Sequence, residues 1–302
     1  MTGMQSDKSY EMDKRKLLFV GLNTIDLQFL VNRFPKSNTK TKALKNEICV
    51  GGPATNAAIA CAFLGSETIL VSPVGKHEFS GFIKNEISTC GLQFMDPIEG
   101  KDTEPVFASI ITSAVNGDRT VFSYHPEINS INIDKLKFKY NNYKLALFDG
   151  FYAEMALPLA SEFRKRDIVT VFDGGSWKEG TEQILKYMDI AICSNDFQVP
   201  EGEKAEDVFA CLHSLGVKDA AITRGGDSIL CSHKAGQEEI GIERIDAIDT
   251  LGAGDIFHGA FCHFFAGGHS FTNSLQRASI IAGESCRWFG TREWMRNFST
   301  KE

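Results

Sequence analysis

No stretch of this 302-residue chain approaches the roughly 18 consecutive apolar residues that a membrane-spanning helix needs. The first 16 residues are polar and charged, with none of the apolar core of a secretory signal. A cytoplasmic protein with a disordered tail over residues 1–15 is expected. The eight cysteines, at 49, 61, 90, 193, 211, 231, 262 and 286, include no CxxC and no paired spacing. That argues against a zinc module or a disulfide framework, and they read as small apolar core residues in a reducing compartment. Positive charge is short too: 32 Lys and Arg against 39 Asp and Glu leave a net charge of −7 and a pI near 5.6, which disfavours a nucleic-acid surface. Low-complexity blocks and long-period repeats are missing as well.

What the chain does have is apolar content, 43% of residues, ample for one large α/β domain or two domains. The most informative segment is DTLGAGD, Asp249 to Asp255. Before it, residues 243–248 alternate like a short strand. After it, Ile256, Phe257, Ala260, Phe261, Phe264 and Phe265 recur at helical spacing. The segment therefore reads as a turn into a helix. Gly252, Ala253 and Gly254 carry almost no side chain, so backbone NH groups at a helix N-terminus can approach an anion closely. A carboxylate at Asp255 would repel a resting phosphate, but it can take a proton from an attacking hydroxyl. An ordinary small-residue turn stays open at this point. A dinucleotide fingerprint fits poorly, because GxGxxG would need glycine where Phe257 stands.

Read in order, the chain begins with KLLFVG at 16–21, the form of a central parallel strand, followed at once by Asn23 and Asp26. An aspartate between apolar residues needs hydroxyl or NH partners. A strand over 47–50 runs into Gly51-Gly52-Pro53 and a helix with a small-residue face from Thr55 to Leu64. Residues 104–125 alternate around Asn116-Gly117, the signature of a two-stranded hairpin, with Arg119 just past its turn. From 145 onward four apolar runs, each ending in a polar or glycine-rich turn, alternate with helical stretches, which predicts a parallel sheet with helices on both faces. The strand ends bring Asp149, Asp173, Asn195 and Thr223-Arg224-Gly225-Gly226 to one rim. Ser270 caps a last helix running towards Gly290, and residues 294–302 read as a C-terminal tail.

Two segments, GGPATNAAIACAFLG (with Gly75 beyond it) and DTLGAGDIFHGA, resemble the ribokinase-like, or PfkB, carbohydrate kinases, and the likeness runs from about Leu17 to about Glu293. It implies a three-layer α/β/α sandwich with a mostly parallel sheet over residues 16–293, and a small inserted β-sheet lid with strands within 27–50 and 104–125. It also implies an ATP-dependent kinase whose general base is Asp255, with Gly252, Ala253 and Gly254 as the anion hole and Arg119 reaching the phosphate. Asn23, Asp26, Gly52 and Asn56 would hold the sugar. Thr223, Gly225 and Gly226 would form the ATP turn, with Ser279 and Gly283 near the adenine. Asp249, Leu251, Ser285, Trp288 and Gly290 match a monovalent cation loop, for which potassium is the expected ion.

Three departures qualify that likeness. The family's NxxE signature, tied to magnesium and phosphate, is Asn195-Asp196-Phe197-Gln198 here, so magnesium would rest chiefly on ATP phosphates and water. Pro53 replaces a small or polar residue, which removes a hydroxyl contact. Trp294 stands where the cation loop usually continues with a small residue. The GLNTID and NGDRT segments are similar to the branch that phosphorylates ketoses such as fructose, or ribose. A nucleoside kinase of the same fold and a catalytically silent sugar-binding or regulatory protein are the rival readings, and a homodimer through the lid is the implied assembly.

Overall fold

The computed structural model describes residues 16–128, 130–200, 202, 204–233 and 236–298, so the expected tail at 1–15 lies outside the described residues. The first half of the chain runs through β1 (Lys16–Val20), β2 (Thr24–Val31), β3 (Lys45–Gly51), α1 (Pro53–Phe63), β4 (Thr68–Val71), α2 (Ser80–Thr89), β5 (Gln93–Met95), β6 (Phe107–Ser113) and β7 (Arg119–Tyr124). Then come β8 (Tyr143–Phe148), α3 (Ala153–Lys165), β9 (Val169–Gly174), α4 (Thr181–Leu185), β10 (Ile190–Ser194), α5 (Ala205–Ser214) and β11 (Asp219–Arg224). The chain closes with β12 (Asp227–His233), β13 (Gly236–Ile240), α6 (Ala253–Ala266), α7 (Phe271–Ser285) and α8 (Glu293–Asn297).

Nine strands form one sheet in the order β13-β12-β11-β10-β9-β8-β1-β4-β5. All its pairings are parallel except those of β12, which is antiparallel to both neighbours. The strands alternate between two cores. Leu17 and Phe19 of β1 pack on the side of α1, α6 and α7, whereas Leu18 and Val20 pack on the side of α3 and α5. A sheet apolar on both faces needs helices on both faces, and three layers follow.

A separate four-stranded sheet, β3-β2-β6-β7, is the lid. The β6 and β7 strands pair antiparallel about the Asn116-Gly117 turn, as expected. Gly117 has φ of +71°, and a Cβ there would lie 3.3 Å from the carbonyl oxygen of Ile248. The hairpin tip thus rests on the approach to the DTLGAGD turn.

Three expectations are corrected. Residues 243–248 are not a strand: the hairpin of β12 and β13 already takes the sheet edge, and Ile248 and Asp249 instead donate their NH groups to the carbonyl of Cys286 at the end of α7. The α7 helix, capped by Ser270, ends at Ser285 rather than at Gly290, and it is not the last. The chain past 293 does not begin as a loose tail, because Trp294 on α8 is fully buried, edge-on to Phe63 and Phe298, with its indole NH donated to the carbonyl of Thr291.

Candidate active site

Helix α6 starts at the glycine turn, and two of its glycines set the geometry. Gly252 has φ of +67°, and a Cβ there would lie 2.6 Å from Cγ2 of Thr291, so an L side chain is excluded by both backbone and space. At Gly259 a Cβ would lie 2.1 Å from the carbonyl oxygen of Ala57, which is how closely α1 crosses α6. That crossing brings Asn56 to Asp255: the amide Nδ2 of Asn56 donates to Oδ2 of Asp255 at 2.8 Å.

Asp255, on the first turn of α6, is half-buried. Burial first, and then the neighbouring carboxylate of Asp173, push it up to about 7, while Asn56 and His258 oppose the rise. A carboxylate poised near neutral pH suits a general base. The NH of Ala253 is donated to the carbonyl of Thr250 at 3.3 Å, and a Cβ on Gly254 would meet nothing within 4 Å, so the space over the turn at Gly254 is open.

Arg119, at the start of β7, donates from Nη1 to Oγ1 of Thr250 at 2.7 Å, which puts a lid guanidinium on the turn itself. Asn23, Asp26, Gly52 and Asn56 gather around the start of α1 and the end of β1. Asp26 is buried, its Oδ1 accepts from Thr24 at 2.5 Å, and burial pushes it up to about 6 against the pull of Thr24 and Arg292. Asn23 donates to Thr55 at 3.2 Å and has a buried Oδ1 with no partner. Gly52 caps α1 with φ of +94°. Asp149 is the pin for this corner: its carboxylate accepts from the NH groups of Leu22, Ala54 and Phe151 at 2.8, 3.1 and 3.0 Å.

Behind the turn, a cavity of about 520 Å³ is lined by Thr223, Gly225, Gly226, Ser279 and Gly283 together with Ala253 of the glycine turn. Five of the six expected nucleotide residues, from β11, the turn after it and α7, therefore meet at one place. The size is ordinary for a cofactor site. Asn195 does not line it; exposed at the end of β10, it donates its backbone NH to the carbonyl of Thr223. Among the described residues, no three His, Cys, Asp or Glu side chains gather as a metal site.

The expected cation loop is a connected unit. The carboxylate of Asp249, raised by burial, accepts from the NH groups of Leu251 and Gly290 at 3.0 Å each. The NH of Trp288 is donated to the carbonyl of Ser285 at 3.2 Å. The oxygens on offer are one carboxylate and main-chain carbonyls, hard donors suited to an alkali cation.

Sequence reasoning missed Arg292. Its guanidinium is buried and donates from Nη1 to Oδ1 of Asn56 at 3.0 Å and from Nη2 to the carbonyl of Val50 at 2.6 Å. It sits in a polar stretch beside an apparent tail, and nothing local marks it. His258 was quoted only as part of a motif; Asp173 was placed at the rim without a role.

A doubly wound α/β/α body, a small separate β-sheet and a half-buried carboxylate on the first turn of α6, with a cavity of cofactor size beside that turn, fit an ATP-dependent kinase. The chain belongs to the pfkB family of carbohydrate kinases, whose family profile matches residues 14–296. It is 23% identical over 292 residues to a deoxyribokinase of Salmonella typhi, covering 90% of this chain and 93% of that one. It is 19% identical over 297 residues to the ketohexokinase of Mus musculus, covering 91% and 97%. The structure of Arabidopsis thaliana ribokinase complexed with ribose and ATP superimposes with a TM-score of 0.72 at 19% identity, covering 94% of this chain and 99% of that one.

Proposed function

We propose that this kinase transfers the γ-phosphoryl group of ATP to a primary hydroxyl of a small sugar, a ketose such as fructose or else ribose, with Asp255 as general base. The observation that carries the reading is the Asp255 carboxylate, raised to about 7, on the first turn of α6 with Asn56 at 2.8 Å. Asp255 takes the hydroxyl proton as the sugar oxygen forms its bond to the γ-phosphorus, and the bond to the ADP oxygen breaks. The turn from Gly252 to Gly254 and the guanidinium of Arg119 offset the charge on the transferring group.

Asp26, Asn23, Gly52 and Asn56 hold the acceptor in this reading. Asn23 has an unpartnered buried oxygen available to a sugar hydroxyl, and Asp26 has carboxylate capacity beyond its bond to Thr24. Thr223, Gly225, Gly226, Ser279 and Gly283 hold ATP, with Asn195 behind the β11 turn. Magnesium would arrive with the nucleotide and neutralise its phosphates. Asp249, Leu251, Ser285, Trp288 and Gly290 would hold a potassium ion that stiffens the turn from outside the substrate. The lid strand β7 exposes Val121, Phe122 and Tyr124, which supports association of two chains through their lids. A cytoplasmic setting suits a chain none of whose eight cysteines is in a disulfide.

The test is ADP release across a panel of fructose, ribose, deoxyribose, acidic sugars and nucleosides with ATP, magnesium and potassium. Turnover on a ketose or ribose supports the reading. Turnover on nucleosides alone, or sugar binding without turnover, overturns it.

A further inference from the structure

His258 lies one helical turn beyond Gly254, on the side of α6 that faces the sheet. Its Nδ1 is 2.7 Å from the carbonyl oxygen of Gly254, and its Nε2 is 3.1 Å from the carbonyl oxygen of Ile192 on β10. Carbonyl oxygens only accept, so a ring that bonds both must carry a proton on each nitrogen, which makes it a cation. The ring is buried, and an isolated charge there would be costly. Its counter-ion is at hand: Oδ2 of Asp173, equally buried, stands 3.5 Å from Nδ1 and has no hydrogen-bond partner of its own. Other charged or titratable groups around the pair are Lys178 beyond β9, which favours the ionised form of Asp173, and Asp149, Cys193 and Cys262, whose ionisation Asp173 opposes. Asp255 is flanked by Asp173, His258 and Asp26.

We propose that Asp173 and His258 form a buried carboxylate-imidazolium pair that acts through Asp255, fixing the pH at which this base works and holding the Gly254 peptide of the anion turn in place. The two members pull in opposite directions. Asp173 places negative charge near Asp255 and makes it a stronger base, whereas His258 places positive charge near it and keeps it from binding its proton too tightly. His258 also ties the carbonyl of Gly254 to β10, linking the turn over the phosphoryl site to the centre of the sheet. Both are positioning residues, since neither faces the open side of the turn. The inference rests on Asp255 being the base.

The experiment compares kcat against pH for the wild type, Asp173→Asn and His258→Asn on whichever sugar the panel selects, after ADP titration has established that each variant is folded. The account expects the acid limb of Asp173→Asn to move to lower pH and that of His258→Asn to higher pH, each by about one unit. A purely structural role would lower kcat without moving either limb. Unmoved limbs, or limbs that move the same way in both variants, overturn the pair. Should Asp173→Asn not fold, the direction of the His258→Asn shift decides alone, upward for the pair and unmoved or downward against it. Failure of the underlying reading has a different signature: Asp255→Asn would turn over at the wild-type rate.

Discussion

Arg292 grips Asn56 by its amide oxygen at 3.0 Å, and the amide nitrogen of the same side chain then points at Asp255, 2.8 Å away. An asparagine amide can be turned either way, and only one orientation offers a donor to Asp255. A buried guanidinium can only donate, so it fixes that choice from behind. The loop after α7 thereby reaches Asp255, the proposed base, through one intermediary.

Replacing Arg292 with methionine removes this orientation and leaves Asn56 free to present its oxygen to Asp255. A fall in kcat of roughly tenfold to a hundredfold is expected, with the affinity for ADP little changed. Breaking a buried charge's hydrogen bonds also costs stability, about 3 kcal/mol by urea unfolding. Arg292→Lys should rescue little of the rate, because an ammonium cannot span Asn56 and the Val50 carbonyl together.

Gly252→Ala introduces a Cβ at positive φ and against Cγ2 of Thr291. The expected loss is about 1–3 kcal/mol in stability and on the order of a hundredfold in kcat, since the anion turn shifts. Adding Thr291→Ser takes away the clashing methyl and should return part of the stability but not the backbone strain. A double-mutant cycle read by thermal melting measures that coupling.

Arg119→Ala should behave differently, because the side chain is exposed, its partner Thr250 is half-buried, and the buried Asp249 that it faces keeps the NH groups of Leu251 and Gly290. The melting temperature should move little. Turnover should fall by on the order of a hundredfold or more if the guanidinium stabilises charge on the transferring phosphoryl group. Steady-state kinetics beside a melt on the same preparation separates the two effects.

The raised carboxylate also predicts how stability depends on pH. The folded value of Asp255, about 7, lies above that of an ordinary carboxylate, so the unfolded chain gives up this proton first. The stabilising contribution is complete below about pH 4 and is lost as pH rises through 7. Asp26 and Asp149, both pushed up to about 6 by burial, act in the same direction. Asp255→Asn removes one such group, so its melting temperature relative to the wild type should rise between pH 5 and pH 8. A difference that is flat with pH would contradict the raised value.

Local signals carried the sequence reading far where one residue type has one use. Asn116-Gly117 announced the lid hairpin, apolar runs ending in glycine announced the parallel strands, and DTLGAGD announced a turn into a helix with a carboxylate on its first turn. Alternation misled at 243–248, whose end is held instead by NH groups of Ile248 and Asp249 donated to the carbonyl of Cys286, and polarity misled at Trp294, which packs on Phe63 from a distant helix. The partners of Asp255 were hidden for the same reason. Asn56 and Arg292 are 236 residues apart in sequence, and His258 and Ile192 are 66 apart, so only the packing of α1, α6 and β10 reveals what each side chain faces.

The most direct test of the account is single-turnover kinetics of Asp255→Asn with ATP, magnesium and the accepted sugar, alongside calorimetric titration with ADP. The account predicts a loss in the transfer rate of about 10²–10⁴-fold, with ADP affinity within a few-fold of the wild type. Transfer at a rate close to the wild type would contradict the assignment of Asp255 as the base.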